Sequence, residues 1–339
     1  MNPFQYVTAH TSDEAVSLIG QNGRYLGGGI DLLGEMKDYI VSPDVLVDVK
    51  GLSDLTKIHS EYEGTLQMSP AWPESKKSPP ALLYIGSLVT ITELAENADI
   101  KTKLPGLSEA ATEVGSPQIR NVASLAGNLL QHSRCWYYRQ PDIACLKRSG
   151  DTCYAQEGEN KYHSLFTGCK CITPFTSNLG VMLAALDGMV YVQKGPKSFA
   201  HLSIPELYSE AWKNPAAHTS LKTSDFLCLI LVNLNRARSA YRQMSEKSEF
   251  DWALVSCAAA GNVADGKITD ARIALGAVAP VPYMVKEAHH FLEGKSLTDE
   301  NASKAADIIL KDAKPLAHNG YKIPLAHTLI RRTLLALNT

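Results

Sequence analysis

Arg24-Tyr25-Leu26-Gly27-Gly28-Gly29-Ile30-Asp31-Leu32-Leu33 joins a short apolar strand to three consecutive glycines and then to a helical pattern that runs on through Gly34-Glu35-Met36-Lys37. VLVDVKGL (residues 45–52) follows as a second strand. Upstream, TSDEAVSLI (residues 11–19) reads as a short helix: Thr11 and Glu14 fit a capping box, and Ala15, Leu18 and Ile19 share one face. A β-turn-α-β opening of this kind makes a small N-terminal lobe. Three glycines between strand and helix let backbone N–H groups come close to a ligand, and the helix N-terminus adds positive potential. A phosphate or pyrophosphate is the natural guest. The spacing differs from the G-x-G-x-x-G dinucleotide fingerprint, and a tight structural turn would use the same residues.

The pattern continues outward in small units. GTLQM and ALLYIGS read as strands around SPAWPESKKSPP (residues 69–80), whose Pro, Ser and Lys mark a solvated hairpin insertion. TITELAEN is a helix with Thr90 as its cap, and LPGLSEAATEV is a second one. GSPQIRNVASLAGNLLQ (residues 115–131) is rich in turns and small residues. Within it, Ser124-Leu125-Ala126-Gly127-Asn128-Leu129 permits close backbone approach, and Asn128 offers both donor and acceptor. A Gly-containing turn between helix and strand fits these residues as well. SNLGVMLAALDGMVYVQ gives helix, turn and strand. From about residue 225 the character shifts. FLCLILVNL and WALVSCAAAGNVADGKITDARIALGAVAP read as successive strands with a hairpin at Gly266, then KEAHHFLEG, SKAADIILKDA and LAHTLIRRTLLALN as helices. His289 and His290 point to different faces of one helix and read as surface histidines.

Lys plus Arg total 33 against 35 for Asp plus Glu, so no electrostatic footprint for nucleic acid or an acidic membrane is present. No run of about 18 apolar residues predicts a membrane span, and the N-terminus carries no basic-then-apolar secretory pattern. The expectation is a cytoplasmic protein, with export on a signal-bearing partner left open. Cys135, Cys145, Cys153, Cys169 and Cys171 cluster, whereas Cys228 and Cys257 stand alone in apolar runs and read as buried. In a reducing compartment such a cluster favours metal over disulfides. Gly150, Gly158 and Gly168 suggest a loop wrapped around something. Four thiolates suit a 4Fe–4S cluster or a zinc ion, and the lack of C-x2-4-C pairs favours the former.

YLGGGIDLL and SPQIRNVASLAGNLLQ together resemble the FAD-binding subunits of the xanthine dehydrogenase and aldehyde oxidoreductase family of molybdenum hydroxylases. The resemblance runs on through CITPFTSNLGVMLAALDG, DWALVSCAAA, ITDARIALGAVAPVP and NGYKIPLAHTLIRRTLL, over nearly the whole chain. It implies an α+β protein: a two-lobed, PCMH/VAO-like FAD-binding domain, then a C-terminal α+β domain of antiparallel sheet and helices. The first domain would span 1–224, with a lobe of about 1–55 and another of about 56–224 that includes the Cys-rich loop 131–172. The second would span 225–339. The flavin would lie between them, with 225–260 closing one side. A lysine that often approaches the flavin in this family has Arg242 and Gln243 near its place here, and that role stays open.

Carried over by position, the FAD contacts would be Arg24, Leu26, Gly27, Gly28, Gly29, Ile30, Asp31 and Leu32 from the first segment. From the second they would be Ala123, Ser124, Ala126, Gly127 and Asn128, with Asn178 beyond it. The family usually has Thr in place of Ile30 and Asp in place of Asn178. The first change removes a hydroxyl donor to phosphate, and the second makes a ribose-hydroxyl acceptor a mixed donor–acceptor. Each is worth about 0.5–1.5 kcal/mol.

One branch of the family inserts a 4Fe–4S loop here, and RCWYYRQPDIACLKRSGDTC followed by CITPFTSN looks like the aldehyde oxidoreductase version. The implied ligands are Cys135, Cys145, Cys153 and Cys171, with Cys169 an alternative to Cys171. Arg134, Arg139, Lys147, Arg148, Lys161 and Lys170 either offset the cluster's charge, form a solvated face or make a docking surface. The implied function is electron transfer from the 2Fe–2S clusters of a small subunit, fed by a large molybdenum-cofactor subunit, through FAD to an external acceptor. No catalytic acid or base stands out. A 4-hydroxybenzoyl-CoA reductase or xanthine dehydrogenase type of complex is the alternative within the family. Outside it stand an independent flavoprotein oxidoreductase and a zinc-stapled docking subunit without flavin. Neither substrate nor electron acceptor is legible.

Overall fold

The computed structural model describes residues 1–60, 81–236, 238–248 and 250–338. The expected GTLQM strand and the 69–80 insertion lie outside them. The N-terminal lobe is a parallel sheet of β1 (Gln5–Thr8), β2 (Gly23–Leu26) and β3 (Val45–Asp48), in the order β1-β3-β2, with helices α1 (Ser12–Leu18) and α2 (Leu32–Lys37). Thr11 caps α1 by accepting the Glu14 N–H at 3.1 Å. The expected capping box does not close, because the Glu14 carboxylate accepts from His10 N–H instead. Leu18 also departs from expectation: Ala15, Val16 and Ile19 are buried, while Leu18 faces solvent.

The second lobe is built on an antiparallel sheet of β4 (Ile58–His59), β5 (Leu82–Gly86), β6 (Met189–Gly195), β7 (Ser198–Ser203) and β8 (Phe226–Asn233), in the order β4-β5-β8-β6-β7. Helices α3 (Ile91–Glu96), α4 (Ala98–Lys103) and α5 (Pro105–Thr112) follow β5. Thr90 closes a full capping box with Glu93 at the start of α3. Then come α6 (Pro117–Arg120), α7 (Leu125–Leu129), α8 (Trp136–Arg139), α9 (Asn178–Ala185), α10 (Ile204–Leu207) and α11 (Ser209–Lys213). β8 is apolar from Phe226 to Val232 because both its faces are covered. Leu227, Ile230 and Val232 meet the helices, whereas Phe226, Cys228, Leu229 and Leu231 meet the N-terminal lobe. The break in alternation at Cys228–Leu229 coincides with a bulge, where Tyr191 pairs Leu229 but Val192 pairs Leu227.

β8 lies in this sheet and not in a C-terminal one, so the chain changes sheet after Asn233 and not at residue 225. The last sheet is β9 (Arg238–Met244), β10 (Val255–Ala264) and β11 (Lys267–Gly276), antiparallel in the order β11-β10-β9. Asp265 and Gly266 turn the β10–β11 hairpin with φ of 51° and 70°, the twist that tight hairpins need. One face of β10, with Ala258 and Ala260, meets the core around α5 and α9. The other, with Cys257 and Ala259, meets α12 (Lys286–Leu292), α13 (Asp299–Leu310) and α14 (Lys322–Leu335). His289, expected on the surface, is buried, and its ring accepts the Ile273 N–H at 3.0 Å. Among the described residues no helix is long and apolar enough to cross a membrane.

Lys322 is buried at the start of α14, where its ammonium donates to the carbonyls of Tyr162 and Ala277 at 2.7 and 2.8 Å. Burial pulls its pKa from 10.5 down to about 7. Between those values the unfolded chain binds the extra proton, so stability rises with pH from about 7 toward about 10.5. Lys322→Met is expected to flatten that rise, read as the urea midpoint at several pH values. An unchanged slope contradicts the assignment.

Candidate functional site

A cleft of about 780 Å³, within the range of cofactor sites, is lined by the glycine loop, the 113–134 stretch, residues 214–227 and Phe250–Trp252. Arg24, Gly27, Gly28, Gly29, Ile30, Asp31, Leu32, Ala123, Ser124, Ala126, Gly127, Asn128 and Asn178 all line it. Leu26 does not. Its side chain is buried against Met36 and Leu46, on the inward face of β2, so only its backbone borders the loop.

The two segments touch. A Cβ on Gly28 would lie 2.1 Å from the Val122 carbonyl oxygen, and one on Gly27 would lie 3.2 Å from Ser124 Oγ. Gly29 adopts φ +72° beside Leu33. The glycines therefore serve loop-to-loop contact. The backbone N–H groups of Gly28, Gly29 and Ile30 find no backbone acceptor among the described residues. In the second segment those of Ala126 and Asn128 are spent on the Ser87 and Ser124 carbonyls, and that of Gly127 on Ser124 Oγ. The first segment thus offers amides, and the second offers small faces with the Asn128 side chain, whose Oδ1 is held by Ser177 Oγ at 2.7 Å. Asn178 donates to Gln243 Oε1 at 3.1 Å, and Gln243 donates to Glu113 at 2.9 Å. With its N–H group turned to Gln243, Asn178 keeps its oxygen as an acceptor.

Beneath the loop lies a polar network that no local pattern announces. Asp31 receives Arg139 at 2.7 Å, Arg134 at 3.0 Å and the His132 N–H at 2.7 Å. Burial would raise the Asp31 carboxyl, but the two guanidinium groups and the N–H hold it below its usual value. Glu35, 1% exposed, contacts His132 Nδ1 at 2.9 Å and accepts Tyr138 Oη–H at 3.0 Å. His132 stacks on His218 with ring centroids 4.0 Å apart. Arg134 also lies 4.7 Å from the centre of the Trp252 ring.

Cys135, Cys145, Cys153 and Cys171 surround one small cavity, together with Lys147 and His163. Cys169 does not line it; its thiol is directed at the Cys171 carbonyl. Cys135 Sγ lies 3.1 Å from His163 Nε2. Burial pushes the Cys135 thiol up to about 12 and the His163 ring down to about 4. The pairing of Cys153 with Cys171 lowers Cys153 to about 6 and raises its partner. Among the described residues no three His, Cys, Asp or Glu side chains are gathered as a single ion needs. Of the basic residues, Arg134 and Arg139 are not a solvated face but belong to the cleft network. Lys147 is buried beside the cysteines, with its ammonium on the Pro215 and Ala217 carbonyls. Lys161 meets Glu246, and Arg148 meets the Gln140 and Pro141 carbonyls. His163 and the Asp31–Glu35 network escaped the sequence reading. No local pattern links His163 or the Asp31–Glu35 pair to the polar and aromatic run His132 to Arg139.

Residues 2–227 match the family described as the FAD binding domain in molybdopterin dehydrogenase. The chain belongs to this family of FAD-binding oxidoreductase subunits. Residues 239–337 match the CO dehydrogenase flavoprotein C-terminal domain. Among curated relatives, the aldehyde oxidoreductase FAD-binding subunit PaoB of Escherichia coli K12 is 30% identical over 98% of this chain and 96% of its own. The carbon monoxide dehydrogenase medium chain of Hydrogenophaga pseudoflava is 24% identical over 98% of this chain and 96% of its own. In fold, the chain is similar to CO dehydrogenase from Oligotropha carboxidovorans, with TM-score 0.73 at 21% identity, covering 99% of this chain and 98% of that one. It is also similar to quinoline 2-oxidoreductase from Pseudomonas putida 86, with TM-score 0.72 at 19% identity, covering 99% and 97%. FAD fits the cleft on the structure's own terms, since loop amides without backbone acceptors border it and the two segments meet at a contact that only a glycine at residue 28 allows.

Proposed function

We propose that the chain is the FAD- and 4Fe–4S-binding electron-transfer subunit of an aldehyde-oxidising molybdenum hydroxylase complex. The observation that carries the cluster is the convergence of four cysteines, spread over residues 135–171, on one cavity. Four thiolates in a buried site are favourable only around positive charge. The absence of C-x2-4-C pairs among the four favours a 4Fe–4S cluster over a single zinc ion. Cys171 is favoured over Cys169 because only Cys171 faces the cavity. Lys147 and His163 would lie against the cluster, as a buried cation and a neutral ring.

For the flavin, the Gly28–Ile30 amides would hold pyrophosphate. Asn178 and Asn128 would meet the polar groups beyond it, and Phe250–Trp252 would close one side. Bound FAD supplies the exchange of electrons with an acceptor, and the protein supplies position and field. Ile30 is 44% exposed and lines the cleft. Ile30→Thr is therefore expected to tighten FAD roughly two- to tenfold by adding one hydroxyl donor, measured by quenching of flavin fluorescence. Weaker binding contradicts the pose.

PaoB's name places it in an aldehyde oxidoreductase, and the Hydrogenophaga relative is a medium chain. Partners are therefore inferred as a large molybdenum-cofactor subunit and a small 2Fe–2S subunit. The tagged chain purified from its own cells should bring both with it. A chain that oxidises a substrate alone contradicts the assignment.

A further inference from the structure

The residues around Cys135 grip the glycine-loop helix. α8 begins at Cys135 as its N-cap and ends at Arg139, whose N–H donates to the Cys135 carbonyl at 3.0 Å. The Arg139 guanidinium donates to the Ser133 carbonyl at 2.7 Å and to Asp31 at 2.7 Å, and lies 3.5 Å from Glu35. Ser133 Oγ in turn accepts the Cys135 N–H at 3.1 Å. Asp31 is the residue at which the glycine loop becomes α2. Tyr138, on the same turn as Arg139, donates to Glu35 one turn further along α2. Both acids of the cradle are thus held from one eight-residue stretch centred on a candidate ligand of the cluster.

We propose that Arg139 is a positioning residue that ties the flavin cradle to the cysteine site, so that FAD and the cluster each strengthen binding of the other. The inference rests on the cluster reading above. A ligated Cys135 fixes the turn 135–139, and the planar fork of Arg139 transmits that position to Asp31 and the carbonyl of Ser133 together. Whichever group binds first orders this stretch, and the second then binds a cradle already arranged. Coupling of this kind is reciprocal by thermodynamic necessity.

The test uses the full-length chain, loaded with iron and sulfide anaerobically or stripped by a chelator, titrated with FAD by flavin fluorescence. Iron removal is expected to weaken FAD binding about tenfold. Saturating FAD should slow iron loss to the chelator. In R139Q, FAD binding should be weak and no longer dependent on iron. R139K, which keeps the charge without the fork, should not restore that dependence. Equal FAD affinity of the loaded and stripped wild-type chain overturns the coupling while leaving the cluster reading intact. So does an R139Q chain that keeps the tenfold iron dependence, since a purely structural role lowers both affinities alike. A chain that takes up no iron overturns the cluster reading and the coupling with it. If R139Q does not fold, the wild-type comparison decides alone.

Discussion

Gly28→Val is expected to leave the chain without bound FAD while Gly34→Ala, six residues along, keeps it. A Cβ at residue 28 would stand 2.1 Å from the Val122 carbonyl oxygen, 2.8 Å from its carbon and 3.0 Å from Ala123 Cα. All three are backbone atoms, so nothing can rotate aside and the two cradle segments must separate. Overpacking of this kind typically costs about 1–3 kcal/mol in stability, and separation of the segments removes the ligand's seat as well. At Gly34 a Cβ would meet nothing within 4 Å. Replacing that helical glycine should stabilise the fold by about 0.5–1 kcal/mol. Flavin-to-protein ratio and thermal midpoint read both effects. A Gly28→Val chain that retains stoichiometric flavin contradicts the cradle.

Cys171→Ser and Cys169→Ser should part company just as widely. Cys171 is 5% exposed and lines the cavity with Cys153. Its replacement by a hard, weakly acidic hydroxyl would remove one of the four proposed soft ligands. Iron is expected to fall from about four per chain toward none. Cys169 lies outside the cavity, so its serine variant should keep the iron. The reverse pattern would make Cys169 the ligand.

Much of this was legible because it is local. The strand, three glycines and helix at residues 24–37 announce a tight strand-to-helix turn through conformational freedom that other residues lack, and Thr90 announces its helix through capping chemistry. Cys228 and Cys257 sit in apolar runs and are buried as such runs require. What escaped is long-range. Asp31 and Arg139 are 108 residues apart, and no period links them. A charged residue near cysteines looks solvated until its partner is known, which is why Arg134 and Arg139 were not separable from Lys170. β8 reads as a buried strand from its composition, but an all-apolar run fits any sheet covered on both faces, so its sheet could not be chosen. Leu26 belongs to the motif by position but turns inward, because neighbouring strand residues face opposite ways.

The most direct test of the central claim is quantitative flavin, iron, sulfide and zinc analysis of the anaerobically purified full-length chain, with its visible spectrum. One FAD with about four irons and about four sulfides per chain is the predicted result. Zinc without flavin, or flavin without iron, contradicts it.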